Sequence, residues 1–181
     1  LPLDPLAALH LLLAGRTRPA RWDLMRLHTP SGPILGINSA SGGNGSRVLE
    51  STAPEDKARW GALAYLRAAV AVLSDLWVYR GWLAIDGAEP VDVELVSLHF
   101  ANGPTSSGGL PSAPGAHAAD GELDLVAVSP GPLPQLFGAA ARHLLGRDED
   151  DPRIRAEKVR RARFGFEPAM DWRVDGEAVE G

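Results

Sequence analysis

No cysteine occurs among the 181 residues. That excludes disulfide cross-links, thiolate nucleophiles and zinc sites built on cysteine, and it suits a reducing compartment. No apolar run approaches the roughly 20 residues that a membrane-spanning helix requires. Positive charge is not in surplus either: 18 Lys and Arg stand against 23 Asp and Glu, for a net charge of -5, which argues against nucleic acid as a partner. The HExxH, GxSxG and GxxxxGKS signatures of zinc proteases, serine hydrolases and P-loop enzymes are all missing. His10, His28, His99, His117 and His143 form no pair at metal-ligand spacing; His10 and His143 fall in predicted helices and are expected to be structural. No signal peptide is visible. Because the sequence begins with Leu1, the true amino terminus and its targeting information are expected to lie upstream.

What is present describes one domain spanning 1–181, long enough to bury a core without a metal or disulfide staple. The 20 glycines and 15 prolines sit mostly between apolar runs and imply many turns. Asp4 and Pro5 open a short helix that Gly15 closes. Alternation predicts strands at Arg21–His28, Pro33–Ala40, Tyr79–Ile85, Val91–Phe100, Leu123–Val128, Val159–Phe166 and Trp172–Val174. Ser41–Ser46 reads as a loop. Glu55–Trp77 reads as the longest helix, with Trp60, Leu63, Leu66, Val70, Leu73 and Trp77 on one apolar stripe. A second clear helix covers Pro132–Leu145. Strands outnumber helices without alternating regularly with them, which predicts an α+β or mainly-β domain.

Three features carry chemistry or its suggestion. Asn102–Ala119 is a long Gly/Pro/Ser/Ala loop, a length usually reserved for function. Asp-Gly pairs at Asp86, Asp120 and Asp175 signal tight turns. Arg153, Arg155, Lys158, Arg160, Arg161 and Arg163 form a basic cluster that could meet an anionic surface or simply pair with the acidic run Asp148–Asp151.

The order of three segments resembles the carboxy-terminal part of the diacylglycerol and sphingoid-base kinase family. They are DPLAALHLLLAGRTRPARWDLMRL near the start, NGPTSSGGLPSAPGAHAADGELDLVAV in the middle and VDGE near the end. The resemblance implies the family's second domain: an antiparallel β-sandwich with a few helices, expected to hold a lipid. The family's Gly-Gly-Asp-Gly-Thr loop for ATP is not in this sequence; the nearest cluster is Gly42-Gly43-Asn44-Gly45. The nucleotide-binding domain is therefore expected to be a partner outside this chain, and the chain alone is expected to be inactive.

The resemblance also implies site residues. Glu177 would be catalytic, orienting the lipid hydroxyl or accepting its proton. Asp120, with the backbone carbonyls of His117 and Glu122, would hold a magnesium ion, whose preference for oxygen ligands and retained waters suits such a set. Asn102, Gly108 and Gly109 would face the substrate. Mg2+ would serve as cofactor and ATP as co-substrate, in a cytoplasmic protein able to touch a membrane peripherally. The alternative is a stand-alone lipid-binding or regulatory module without catalysis. Which lipid is bound is left open by the sequence.

Overall fold

The computed structural model describes residues 4–50, 75–106, 111–144 and 151–179. Helix α1 (Pro5–Leu13) begins where expected: the Asp4 carboxylate accepts the Leu6 N–H at 3.0 Å, and Gly15 leaves the helix at φ +63°. None of its residues is buried; Leu6, Leu9, Leu12 and Leu13 are exposed.

Eleven strands follow among the described residues. They are β1 (Met25–Thr29), β2 (Gly32–Gly36), β3 (Ser39–Gly43), β4 (Tyr79–Ile85), β5 (Val91–Leu95), β6 (Ser97–Ala101), β7 (Leu123–Val128), β8 (Ile154–Val159), β9 (Ala162–Glu167), β10 (Trp172–Val174) and β11 (Glu177–Ala178). Helix α2 (Asn44–Glu50) follows β3 directly, and α3 (Leu133–Leu144) joins β7 to β8. The strands form a hairpin β1-β2, a six-stranded sheet in the order β11-β10-β3-β6-β7-β8 and a three-stranded sheet in the order β5-β4-β9. Every pairing is antiparallel.

The two larger sheets share one core. Leu98, Phe100, Leu125 and Val159 from the six-stranded sheet meet Tyr79, Leu83 and Leu95 from the three-stranded one, with Met25 of β1 closing the end. Phe164 of β9 stacks on Trp172 of β10 at 4.9 Å and on Phe100 of β6 at 5.8 Å. Aromatic residues thus bridge the two sheets, where their large apolar area counts most. Among the described residues this is a β-sandwich with few helices, as expected.

The strand boundaries differ from those read off the alternation in an instructive way. Pro33–Ala40 is two strands: β2 ends at Gly36, and β3 starts at Ser39 in another sheet. Val91–Phe100 breaks at Val96, and Val159–Phe166 breaks at Arg160-Arg161. At each break the chain leaves one sheet for another, and at the second and third the core-facing positions also change parity, from Val93 and Leu95 to Leu98 and Phe100 and from Val159 to Ala162 and Phe164. Ser41–Gly43, read as loop, is the second half of the wholly buried strand β3. Small residues are needed there because a Cβ on Gly42 would meet the Trp172 ring at 2.7 Å. The long helix expected over Glu55–Trp77 falls mostly outside the described residues; Trp77 itself lies in non-helical chain leading into β4. No described helix is long and apolar enough to cross a membrane.

Candidate functional site

The VDGE segment forms a two-residue hairpin turn between β10 and β11. Asp175 and Gly176 both take positive φ, 51° and 95°, the pattern of turns that match the twist of paired strands. The turn is more than a local reversal. The Asp175 carboxylate accepts the backbone N–H groups of Ile37, Asn38 and Ser39 at 2.7, 2.9 and 2.9 Å, and its own N–H donates to the Ser39 carbonyl at 2.8 Å. Three orphan amides at the β2–β3 corner are satisfied by one ionised acceptor. Gly36 lets the turn approach, since a Cβ there would lie 2.6 Å from the Val174 side chain.

From this corner the bonding continues. The Asn38 carbonyl accepts the N–H groups of Asn102 at 2.7 Å and Gly103 at 3.3 Å, and its side-chain amide donates to the Thr105 carbonyl at 3.0 Å. Asn102 is buried, and its amide donates to the carbonyls of Asp23 at 2.9 Å and Ile37 at 2.8 Å. Asp23 in turn accepts the Gly121 N–H at 2.7 Å, and its own N–H donates to the Ala118 carbonyl at 2.7 Å. A continuous set of hydrogen bonds therefore links the late acidic turn, the start of the long loop and the Asp120-Gly121 turn. Neither Asn38 nor Asp23 is flagged by any motif.

Glu177 stands exposed on β11, opposite Val174 at the edge of the six-stranded sheet. Among the described residues no hydrogen bond or ion pair holds its carboxylate. Asp120 lies just before β7, four strands away in that sheet, roughly 19 Å at the usual strand spacing. The two acidic turns are thus separate places. Gly108 and Gly109 lie outside the described residues.

At the Asp120 turn, Oδ1 accepts the Glu122 N–H at 3.1 Å and Oδ2 lies 2.5 Å from the Lys158 ammonium. That contact holds the Asp120 carboxyl below the usual carboxylate range and the Lys158 ammonium above its usual one. The exposed His117 offers a carbonyl that accepts the Ala119 N–H at 2.8 Å. Glu122 reaches Arg160 at 3.4 Å. The donors are of the kind magnesium favours. With an ammonium already on the carboxylate, however, the arrangement fits an internal cation better than a bound metal, and no step below passes through a metal at Asp120. No group of three or more His, Cys, Asp or Glu among the described residues could hold a metal ion.

Between β1, the strands β6 and β7, and β9 lies a cleft of about 830 Å³. Leu27, Ala40, Phe100, Leu123 and Phe164 give it an apolar lining, and Arg26, Arg160, Arg161 and Arg163 add positive charge. Asn102 and Glu122 border it; Glu177 does not. The basic cluster is thereby divided. Arg153 pairs with the buried Asp151, Arg155 with Glu157 and Lys158 with Asp120, whereas Arg160, Arg161 and Arg163 line the cleft.

The opposite face of the six-stranded sheet carries a different polar contact. The Ser41 hydroxyl lies 2.7 Å from His99 Nδ1. Burial, and to a lesser extent the charge of His143, pushes His99 down to about 4, so it is neutral at neutral pH. His143 Nε2 meets the Ser112 carbonyl at 2.7 Å.

The fold is that of solved lipid-kinase-type structures. A diacylglycerol kinase from Bacillus anthracis str. Sterne aligns with 80% of this chain and 43% of its own, with a TM-score of 0.51 and 17% identity. Another solved chain from that organism reaches a TM-score of 0.56 at 23% identity, over 79% of this chain and 46% of its own. The family model of the YegS C-terminal NAD kinase beta sandwich-like domain matches residues 38–181, and the chain belongs to that family. It is also similar to the protein named "Probable lipid kinase YegS-like" from Pseudomonas putida strain KT2440, with 32% identity over 180 residues, 99% of this chain and 56% of the relative. The protein of the same name from Pseudomonas aeruginosa strain UCBPP-PA14 is 30% identical over 182 residues, 100% of this chain and 57% of the relative. The chain thus spans little more than half the length of these curated relatives.

Proposed function

We propose that this chain is the lipid-binding half of an ATP-dependent lipid kinase. The observation that carries the reading is the cleft between the sheets. It is lined by apolar side chains able to take acyl chain and bordered by arginines able to meet a polar or anionic head. Family membership supports it. The ATP-binding domain would be a separate part of the parent protein, and the exposed leucines of α1 suit contact with further polypeptide.

In this reading the reacting end of the lipid extends beyond the cleft lining towards the β10–β11 edge, where Glu177 accepts the proton of the lipid hydroxyl as the hydroxyl oxygen attacks the γ-phosphorus of ATP. The bond to the β-phosphate oxygen breaks and ADP leaves. Magnesium bound to the nucleotide would supply charge neutralisation at the phosphates. The unpaired Glu177 carboxylate is available for that proton. The Asp175 clasp would fix the hairpin that carries Glu177 relative to the Asn102 loop. The protein would work in the cytoplasm, at the membrane surface that supplies its lipid.

The test is transfer of labelled γ-phosphate to diacylglycerol or a sphingoid base in vesicles, by the full-length polypeptide that carries this chain. Glu177→Gln is expected to lower kcat by about 100-fold or more while leaving vesicle binding intact. Full activity in that variant removes Glu177 from the mechanism. The 181-residue chain alone is expected to bind vesicles and transfer nothing. Binding without transfer in the full-length polypeptide would replace the kinase reading with a non-catalytic lipid-binding module.

A further inference from the structure

Asp120, Glu122 and Asp124 occupy alternate positions leading into β7. Leu125 is fully buried in the sandwich core, and Leu123 packs against that core, so Asp124 belongs to the other side of the strand, whereas Glu122, just before it, borders the cleft. Three carboxylates so spaced repel one another unless positive charge is brought among them. Strand β8 brings it. Lys158 lies directly across the ladder from Asp124. Its ammonium sits 2.5 Å from Asp120 Oδ2 and 3.5 Å from Asp124 Oδ2, bridging two carboxylates that the turn holds four residues apart. Two residues on, Arg160 serves Glu122 at 3.4 Å.

We propose that the Lys158 ammonium is the built-in counter-ion of the Asp120-Gly121 turn, standing where a divalent cation would otherwise bridge Asp120, so that this chain closes the turn without metal. The inference is independent of the kinase reading and concerns how the edge of the cleft is held, since Glu122 and Gly121 line it. The geometry favours it for two reasons. The ammonium is delivered by a hydrogen-bonded neighbouring strand, so folding itself places the charge. A magnesium ion would also have to shed water and displace an ammonium already shared between two carboxylates.

The experiment is a thermal melt of the 181-residue chain in excess EDTA and in millimolar MgCl2, for wild type, Lys158→Met and the double variant Lys158→Met/Asp120→Asn. Wild type is expected to melt at the same temperature in both. Lys158→Met is expected to melt lower in EDTA and to recover by about 2–4 °C in magnesium, and the double variant to lose that recovery. A wild-type midpoint that falls in EDTA would overturn the inference and restore a metal site at Asp120. A Lys158→Met midpoint indifferent to magnesium would overturn it too, because no cation position would then have been uncovered. Should Lys158→Met not fold, water-proton relaxation with Mn2+ on the wild-type chain decides: no enhancement supports the internal counter-ion, and saturable enhancement abolished by Asp120→Asn sinks it.

Discussion

The same dipeptide, Asp-Gly, turns the chain at Asp175-Gly176, Asp86-Gly87 and Asp120-Gly121, and the three carboxylates do different things. Asp175 reaches across 136 to 138 residues to three backbone amides of the β2–β3 corner. Asp86 reaches two, the N–H groups of Arg160 and Arg161 at 2.9 and 2.8 Å, where the chain passes from β8 to β9. Asp120 takes one local amide and a lysine. The glycine and the positive φ make the reversal; what the carboxylate meets decides whether the turn is a local reversal or a joint between distant parts of the chain. At Asp175 and Asp86 the joint sits where the backbone changes sheets, and there the departing chain leaves amides that no strand can satisfy.

That ranking can be broken by substitution. Asp175→Ala removes three charge-assisted hydrogen bonds at once and puts a β-carbon residue without a local hydrogen bond at φ 51°. A loss of about 3 kcal/mol is expected in urea denaturation, with faster hydrogen exchange at the amides of Ile37, Asn38 and Ser39. Asp175→Asn, which tolerates the same backbone, should recover part of it. If Asp175→Ala unfolds at the wild-type midpoint, the turn is no joint. Asp86→Ala loses two such bonds and should cost about 2 kcal/mol by the same measurement, with exchange rising at Arg160 and Arg161; a larger loss than at Asp175 would reverse the order. Asp120→Asn should have the smallest effect of the three. Its partner is a partly exposed lysine, so the difference from wild type should vanish in about 1 M salt, where surface charges are screened. A difference that survives such salt would mean that the contact is not chiefly electrostatic.

The sequence declared the turns and left the joints hidden. Strand content was legible because apolar residues alternate, as in Tyr79–Ile85 and Leu123–Val128, which match β4 and β7. Corners were not, because apolar residues continue through them: Leu95, Val96 and Leu98 are all buried although the chain changes sheets at Val96. The buried strand Ser39–Gly43 was half missed because its small polar residues carry no hydrophobic signal, and the reason for them, the Trp172 ring, lies 130 residues away. The site was legible to the same degree. Glu177, Asp120 and Asn102 were singled out as candidates through their motifs. Their surroundings depend on Asn38, Asp23 and Lys158, ordinary residues whose importance comes from what the fold sets beside them. Nothing in a linear reading distinguishes Lys158, which bridges two carboxylates, from Arg163, which borders the cleft.

The corners have a mechanical meaning. Val96 carries the chain from an edge of the smaller sheet to the middle of the larger, and Arg160-Arg161 carries it back from the far edge of the larger to the other edge of the smaller. The two layers are therefore laced together by continuous backbone at separate points. Neither can be peeled from the other like the leaves of a book; prising the cleft wide enough to admit a bulky guest must bend strands instead of swinging a hinge.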